Sequence, residues 1–147
     1  MFRPKVILHP TDFSSNSAHA FQIALDLAQQ YGARIMILHV VETLGPENVT
    51  HGEAVSQIEP EAYRHRLRQD LERVVPPPST SISHAHLLVE GNPASEIVQA
   101  ARDNSCGLIV MGTHGRTGLR RLLMGSIAEQ VMRHAECPVL TIKVADG

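Results

Sequence analysis

Four glycines and three arginines crowd the stretch VMGTHGRTGLRRLLMGSIAEQV, Val110 to Val131. Gly112 and Gly115 are followed, after nine residues, by Gly125-Ser126, a G-x2-G-x9-G-S spacing. Glycines let main-chain N–H groups approach a phosphate with no Cβ in the way, and a helix N-terminus adds unpaired donors and partial positive charge. Arg116, Arg120 and Arg121 supply balancing charge. A second group with chemical reach is Asp12 in HPTDFS, a carboxylate at the end of an apolar run, placed for a ribose hydroxyl, an adenine amine or a phosphate-bound cation. The same residue types also serve plainer ends: glycines as turn residues, Ser126 as a helix cap, arginines on a solvated face, Asp12 in an Asx turn or as a cap. Local chemistry alone leaves both readings open.

Other chemistries have less support. The loop lacks the G-K-[S/T] of a Walker A sequence, and no G-x-G-x-x-G follows the first strand. A nucleophile elbow, a C-x-x-C and a paired-carboxylate motif are also missing. Hydrolysis of a bound phosphate ester would need a positioned water and charge neutralisation, and no general base stands out beyond Asp12. Among nine histidines, His84 and His86 share a strand face without a third ligand at telling spacing, so no metal site is expected. His39, inside ILHVV, reads as a hydrogen-bonded core histidine. His114, between loop glycines, either touches a phosphate or hydrogen-bonds the loop.

These residues need a frame, and the sequence supplies one. Short runs rich in Ile, Leu and Val alternate with amphipathic stretches, the pattern of βαβ units around a buried parallel sheet. The strand runs are Lys5 to His9, Arg34 to Val41, His84 to Glu90, Gly107 to Gly112 and Pro138 to Val144. A first helix carries Ala18, Phe21, Leu25 and Ala28 at helical spacing, with Ser14 or Ser15 as N-cap and Gly32 at its end. A charged second helix over Ala62 to Val75 has a narrow stripe of Leu67, Leu71, Val74 and Val75. A third starts at Asn92-Pro93 and turns Ile97, Val98 and Ala101 inward. The last spans about Ser126 to His134, where Ser126 and Glu129 match a capping box. Thr43 to Pro60 and Pro76 to Thr80 look irregular, the first as a long crossover.

Composition sets the outer limits. The chain of 147 residues, 43% hydrophobic, fits one domain over 1–147 with a single core. With 3% aromatic residues and no Trp, the stacking platforms of single-strand nucleic-acid binders are largely missing, and a net charge of −2 argues against a general polyanion binder. Cys106 and Cys137 form neither a disulfide framework nor a zinc ribbon, and no apolar run approaches the ~20 residues of a membrane span. A cytoplasmic protein without nucleic-acid or membrane partners is expected.

Taken together, HPTDFS, ILHVVE, VEGNPASEIV and IVMGTHGRTGLRRLLMGSIAEQVMRHAECPVLTIK resemble the universal stress protein family, in its ATP-binding branch. The likeness is weakest across Thr43 to Thr80. It implies an open, doubly wound α/β fold, a five-stranded parallel sheet in the order 3-2-1-4-5 with helices on both faces. It also implies that Pro10, Thr11, Asp12 and Val40 border adenine and ribose. Met111, Gly112, His114, Gly115, Arg116, Gly125, Ser126 and Ile127 would then surround ribose and phosphates, with Gly91 and Pro93 on the rim. The implied cofactor is ATP, with AMP or ADP as alternatives, and Mg2+ carried by the phosphates. The implied function is a nucleotide-dependent regulatory module of the stress response; the alternatives are a slow ATPase or phosphotransfer enzyme, or a dimer that uses no nucleotide. Strand five would be an edge in this order, and Val139, Leu140, Ile142 and Val144 around Thr141, with Lys143 alone as gatekeeper, invite antiparallel pairing into a homodimer.

Overall fold

The computed structural model describes residues 1–42, 60–114 and 125–143. Gly115, Arg116, Arg120, Arg121, Val144 and most of the expected crossover lie outside them.

Alternation of strand and helix follows the apolar runs. The elements are β1 (Val6–Pro10), α1 (Ser15–Tyr31), β2 (Arg34–Glu42), α2 (Pro60–Glu72), β3 (His84–Gly91), α3 (Pro93–Asp103), β4 (Leu108–Gly112), α4 (Ser126–His134) and β5 (Val139–Ile142). All neighbouring strands pair in parallel, in the order β3-β2-β1-β4-β5. This is the open α/β sheet that the resemblance implies. Pro10 pairs in register with Leu38, and Ile7 and Leu8 with Leu108 and Ile109.

Period-two alternation divides the strands' side chains between two cores. Ile7, Ile35, Ile37, Leu108 and Val110 meet Phe21, Ala24, Leu25 and Ala28 of α1 and Leu71 of α2. On the other face Leu8, Leu38, Ile109 and Met111 meet Ala94, Ile97, Ala100 and Ala101 of α3 and Ala128 and Val131 of α4. Among the described residues the core on this second face holds no aromatic residue: aliphatic strand side chains pack mainly against alanines of α3 and α4.

Local signals set most helix ends. Ser14 caps α1 by accepting from the Ser17 amide, and Gly32 ends it in the left-handed conformation at φ 67, where a Cβ would be strained. Asn92 caps α3 by accepting from Ser95 N, and Pro93 follows where its missing donor is harmless. Two expectations need correction. The second helix spans Pro60–Glu72, not Ala62 to Val75, and Val75 beyond it is exposed. The Ser126–Glu129 capping box does not form, because α4 begins one residue early: Gly125 is the N-cap and its carbonyl accepts from Glu129 N. Glu129 thus lies a residue too far along to reach back, and it pairs with Arg133 at 2.9 Å instead.

Candidate functional site

β1 pairs with β2 on one side and β4 on the other, so the chain's crossovers diverge from a switch point between β1 and β4. Open α/β sheets bind ligands outside the carboxyl ends of the strands at such a point. Three segments arrive there: Pro10–Ser14 after β1, Met111–His114 at the end of β4, and the Gly125–Ile127 start of α4.

The first segment is held by its own polar atoms. Thr11 N donates to Leu38 O at 2.8 Å, extending the strand pairing, and Thr11 O contacts His39 Nδ1 at 2.7 Å. Asp12 Oδ1 accepts from Ser14 N at 3.0 Å and from Ser17 Oγ at 2.7 Å. That is an Asx turn tied to the first turn of α1, the plainer role that the sequence left open for this carboxylate. Phe13 has φ 66, rare for a residue with a large side chain; Thr11 Oγ1 accepts its amide at 3.1 Å, and its ring lies 4.5 Å from the His39 ring. His39 is therefore hydrogen-bonded, as expected, but half-buried at the rim of the sheet and not in its core.

Thr113 joins the other two segments. Its amide and hydroxyl both donate to Ile142 O, at 2.9 and 2.7 Å, and its carbonyl accepts Gly125 N at 2.9 Å. The end of β4, the end of β5 and the start of α4 thus share one residue. Asn16 adds a fourth tie, with Nδ2 donating to His114 O at 2.5 Å across from α1. Neither residue was singled out in the sequence. Thr113 was at least visible between motif glycines, whereas Asn16 acts over a separation of 98 residues and gives no local signal.

The structure brings together the described residues of the expected site. Val40, Met111 and Ile127 share the α3/α4 face, Met111 buried and the other two partly so. Ser126 is exposed at the first helical position. On the rim Gly91 has φ 150, and a Cβ there would meet Glu96 Oε1 at 2.7 Å. Gly125 lies at φ −62, so positive φ is not why it is glycine; a Cβ would sit 3.0 Å from Thr113 O. With glycine as its cap, α4 has no side-chain cap hydrogen bond at its N-terminus among the described residues. The cap residue itself thus supplies no acceptor to the first amides of α4.

Other groups are not poised for reaction. His9 is fully buried beneath the site, with Nδ1 3.0 Å from Val110 O, and burial lowers its pKa to about 4, so its imidazole is neutral near pH 7. Burial, with Cys137 nearby, pushes the Cys106 thiol up to about 11, and burial raises Cys137 too, so neither is an activated thiolate. His86 Nε2 contacts Val74 O at 2.8 Å, and its ring meets that of His84 edge-on at 5.2 Å. Among the described residues no group of three or more His, Cys, Asp or Glu is placed to hold a metal ion, and no helix is long and apolar enough to cross a membrane.

Comparison with known proteins agrees with this arrangement. The universal stress protein family model matches residues 4–143. Universal stress protein MJ0531 of Methanocaldococcus jannaschii is 37% identical over 142 residues, 95% of this chain and 82% of that protein. The solved structure of MJ0577 superposes with a TM-score of 0.72 at 28% identity, covering 100% of both chains. A universal stress protein solved in complex with cAMP shares the fold at 20% identity, with a TM-score of 0.63 over 97% of this chain and 99% of that one. The sheet order, the ties at the switch point and the match over nearly the whole length place this chain in the universal stress protein family.

Proposed function

We propose that this universal stress protein binds an adenine nucleotide, ATP first among them, at the crevice between β1 and β4, and that occupancy changes its shape or choice of partner. The observation that carries this reading is the start of α4, where a glycine cap supplies no side-chain acceptor to the first amides, beside Thr113 and His114. Phosphates would lie on those amides. Pro10, Thr11, Asp12 and Val40 would border the adenine and ribose, and Gly112, His114, Gly115, Arg116, Gly125, Ser126 and Ile127 the phosphate side. The Asx turn commits Asp12 Oδ1 to Ser14 and Ser17, which suits a carboxylate fixed in direction more than a mobile general base. A Mg2+ would arrive on the phosphates, where such an ion keeps waters and phosphate oxygens as ligands. That ion would neutralise phosphate charge, while the chain's own amides orient the nucleotide. Binding and regulation are therefore favoured over turnover.

The assembly we propose is a homodimer through β5. Among the described residues only β4 pairs with this strand; Leu140 is exposed, and Val139, Thr141 and Ile142 are partly so. Titration calorimetry with Mg-ATP and with adenosine tests the nucleotide reading. ATP is expected to bind more tightly than adenosine, whereas failure of ATP to bind sinks it. Light scattering that finds only monomer, with and without ATP, sinks the dimer.

A further inference from the structure

We propose that Asn16 is a positioning residue for the glycine loop, and that Gly112, the first motif glycine, is glycine in order to admit Asn16 and not the ligand. This rests on the nucleotide reading above and adds a part of the chain that the loop motif does not contain.

Three observations converge. An ideal Cβ on Gly112 would stand 2.6 Å from Asn16 Nδ2 and 3.0 Å from its Cγ, so a side chain there would force the Asn16 amide out of its place. The amide occupying that space donates to His114 O at 2.5 Å, so it fixes the backbone where β4 turns into the loop. Asn16 Oδ1 is buried without a partner among the described residues. A buried acceptor left unpaired is unfavourable, so helix stability does not explain an asparagine at this place in the first turn of α1.

The arrangement has a mechanical consequence. α1 begins directly after the Asp12 turn, and Asn16 lies one residue before Ser17, which holds Asp12 Oδ1. A single helical turn thus carries both the group that fixes the β1 loop and the group that fixes the β4 loop. Asn16 sets the distance between the two walls of the crevice. His114 is presented from a carbonyl whose direction Asn16 determines, so the phosphate side of the site inherits its geometry from α1.

A double-mutant cycle decides the matter, because the two substitutions act on one contact. Asn16→Ala is expected to weaken ATP about tenfold through loss of the strut. Gly112→Ala in the native background is expected to weaken ATP by at least as much, since the new methyl expels the amide. In the Asn16→Ala background the same methyl enters vacated space, and its further effect should be about twofold or less. Thermal unfolding of the four proteins without nucleotide supplies a second readout: the loss caused by Gly112→Ala should shrink once Asn16 is alanine. Adenosine affinity should change less than ATP affinity, because the strut acts on the phosphate side. Additive effects in both readouts overturn the inference, as does an Asn16→Ala protein that binds ATP like the wild type. If ATP binds none of the four, the nucleotide reading falls and the positioning role with it, while the unfolding cycle still decides why Gly112 is glycine.

Discussion

α3 and α4 start at the same end of the sheet and pack on the same face, yet their first turns are finished differently. α3 is closed by its own sequence, with Asn92 accepting from Ser95 N and Pro93 removing one donor altogether. α4 opens on Gly125, whose missing side chain leaves nothing to accept from the amides that follow. A helix end whose cap residue supplies no side-chain acceptor leaves its first amides to other partners. On the nucleotide reading proposed above, one start is structural and the other binds ligand, and each serves as the other's control.

The largest expected effect comes from spoiling the open end. Gly125→Val should weaken ATP about a hundredfold, because the branched side chain presses on Thr113 O and covers the first amides; calorimetry at matched circular dichroism checks it. Unchanged affinity would mean that α4 does not hold the phosphates.

Acid should loosen the other face of the sheet, where His9 packs against Phe21 of α1. His9 has a folded pKa of about 4 against 6.5 for an ordinary histidine, so between those values the unfolded chain binds more protons and stability rises with pH. Cooling of the melting point should begin as pH falls through 6.5 and level off near 4, with a total loss of about 3 kcal/mol from this residue. Melting curves of wild type and His9→Phe across that range measure it. A wild-type slope that survives the substitution assigns the effect elsewhere.

The smallest effect is expected at the closed end. Asn92→Ala should cost about 1 kcal/mol of stability by denaturant unfolding and leave ATP affinity unchanged. A comparable loss of ATP binding would erase the contrast between the two helices.

Much of this was legible where the deciding contacts are local. The Asn92-Pro93 start, the Ser14 cap and the left-handed Gly32 each depend on residues within one turn, and short aliphatic runs marked every strand. Strand order came from the family resemblance, since no periodicity fixes which strands are neighbours. What stayed hidden depends on distant partners. Ser126 with Glu129 fits a capping box on spacing alone, but Gly125 N is held by Thr113 O, and that bond starts the helix one residue early. His39 reads from its strand as a core histidine, yet it lies beyond the end of β1's pairing with β2 and is half-buried, whereas His9, packed against Phe21 of α1, is the fully buried one. The motif glycines left two readings open, room for a ligand and plain turn residues; a Cβ on Gly112 or Gly125 would meet Asn16 or Thr113 of the chain itself, a constraint the sequence does not show.

A nitrogen-resolved NMR titration with Mg-ATP tests the central claim most directly, since it reads both helix starts in one sample. The amides of Ser126 and Ile127 are expected to shift strongly and saturate together, while Ala94 and Ser95 in the first turn of α3 stay nearly still. No shift in α4 at saturating ATP, or shifts of equal size in the two helices, would contradict the account.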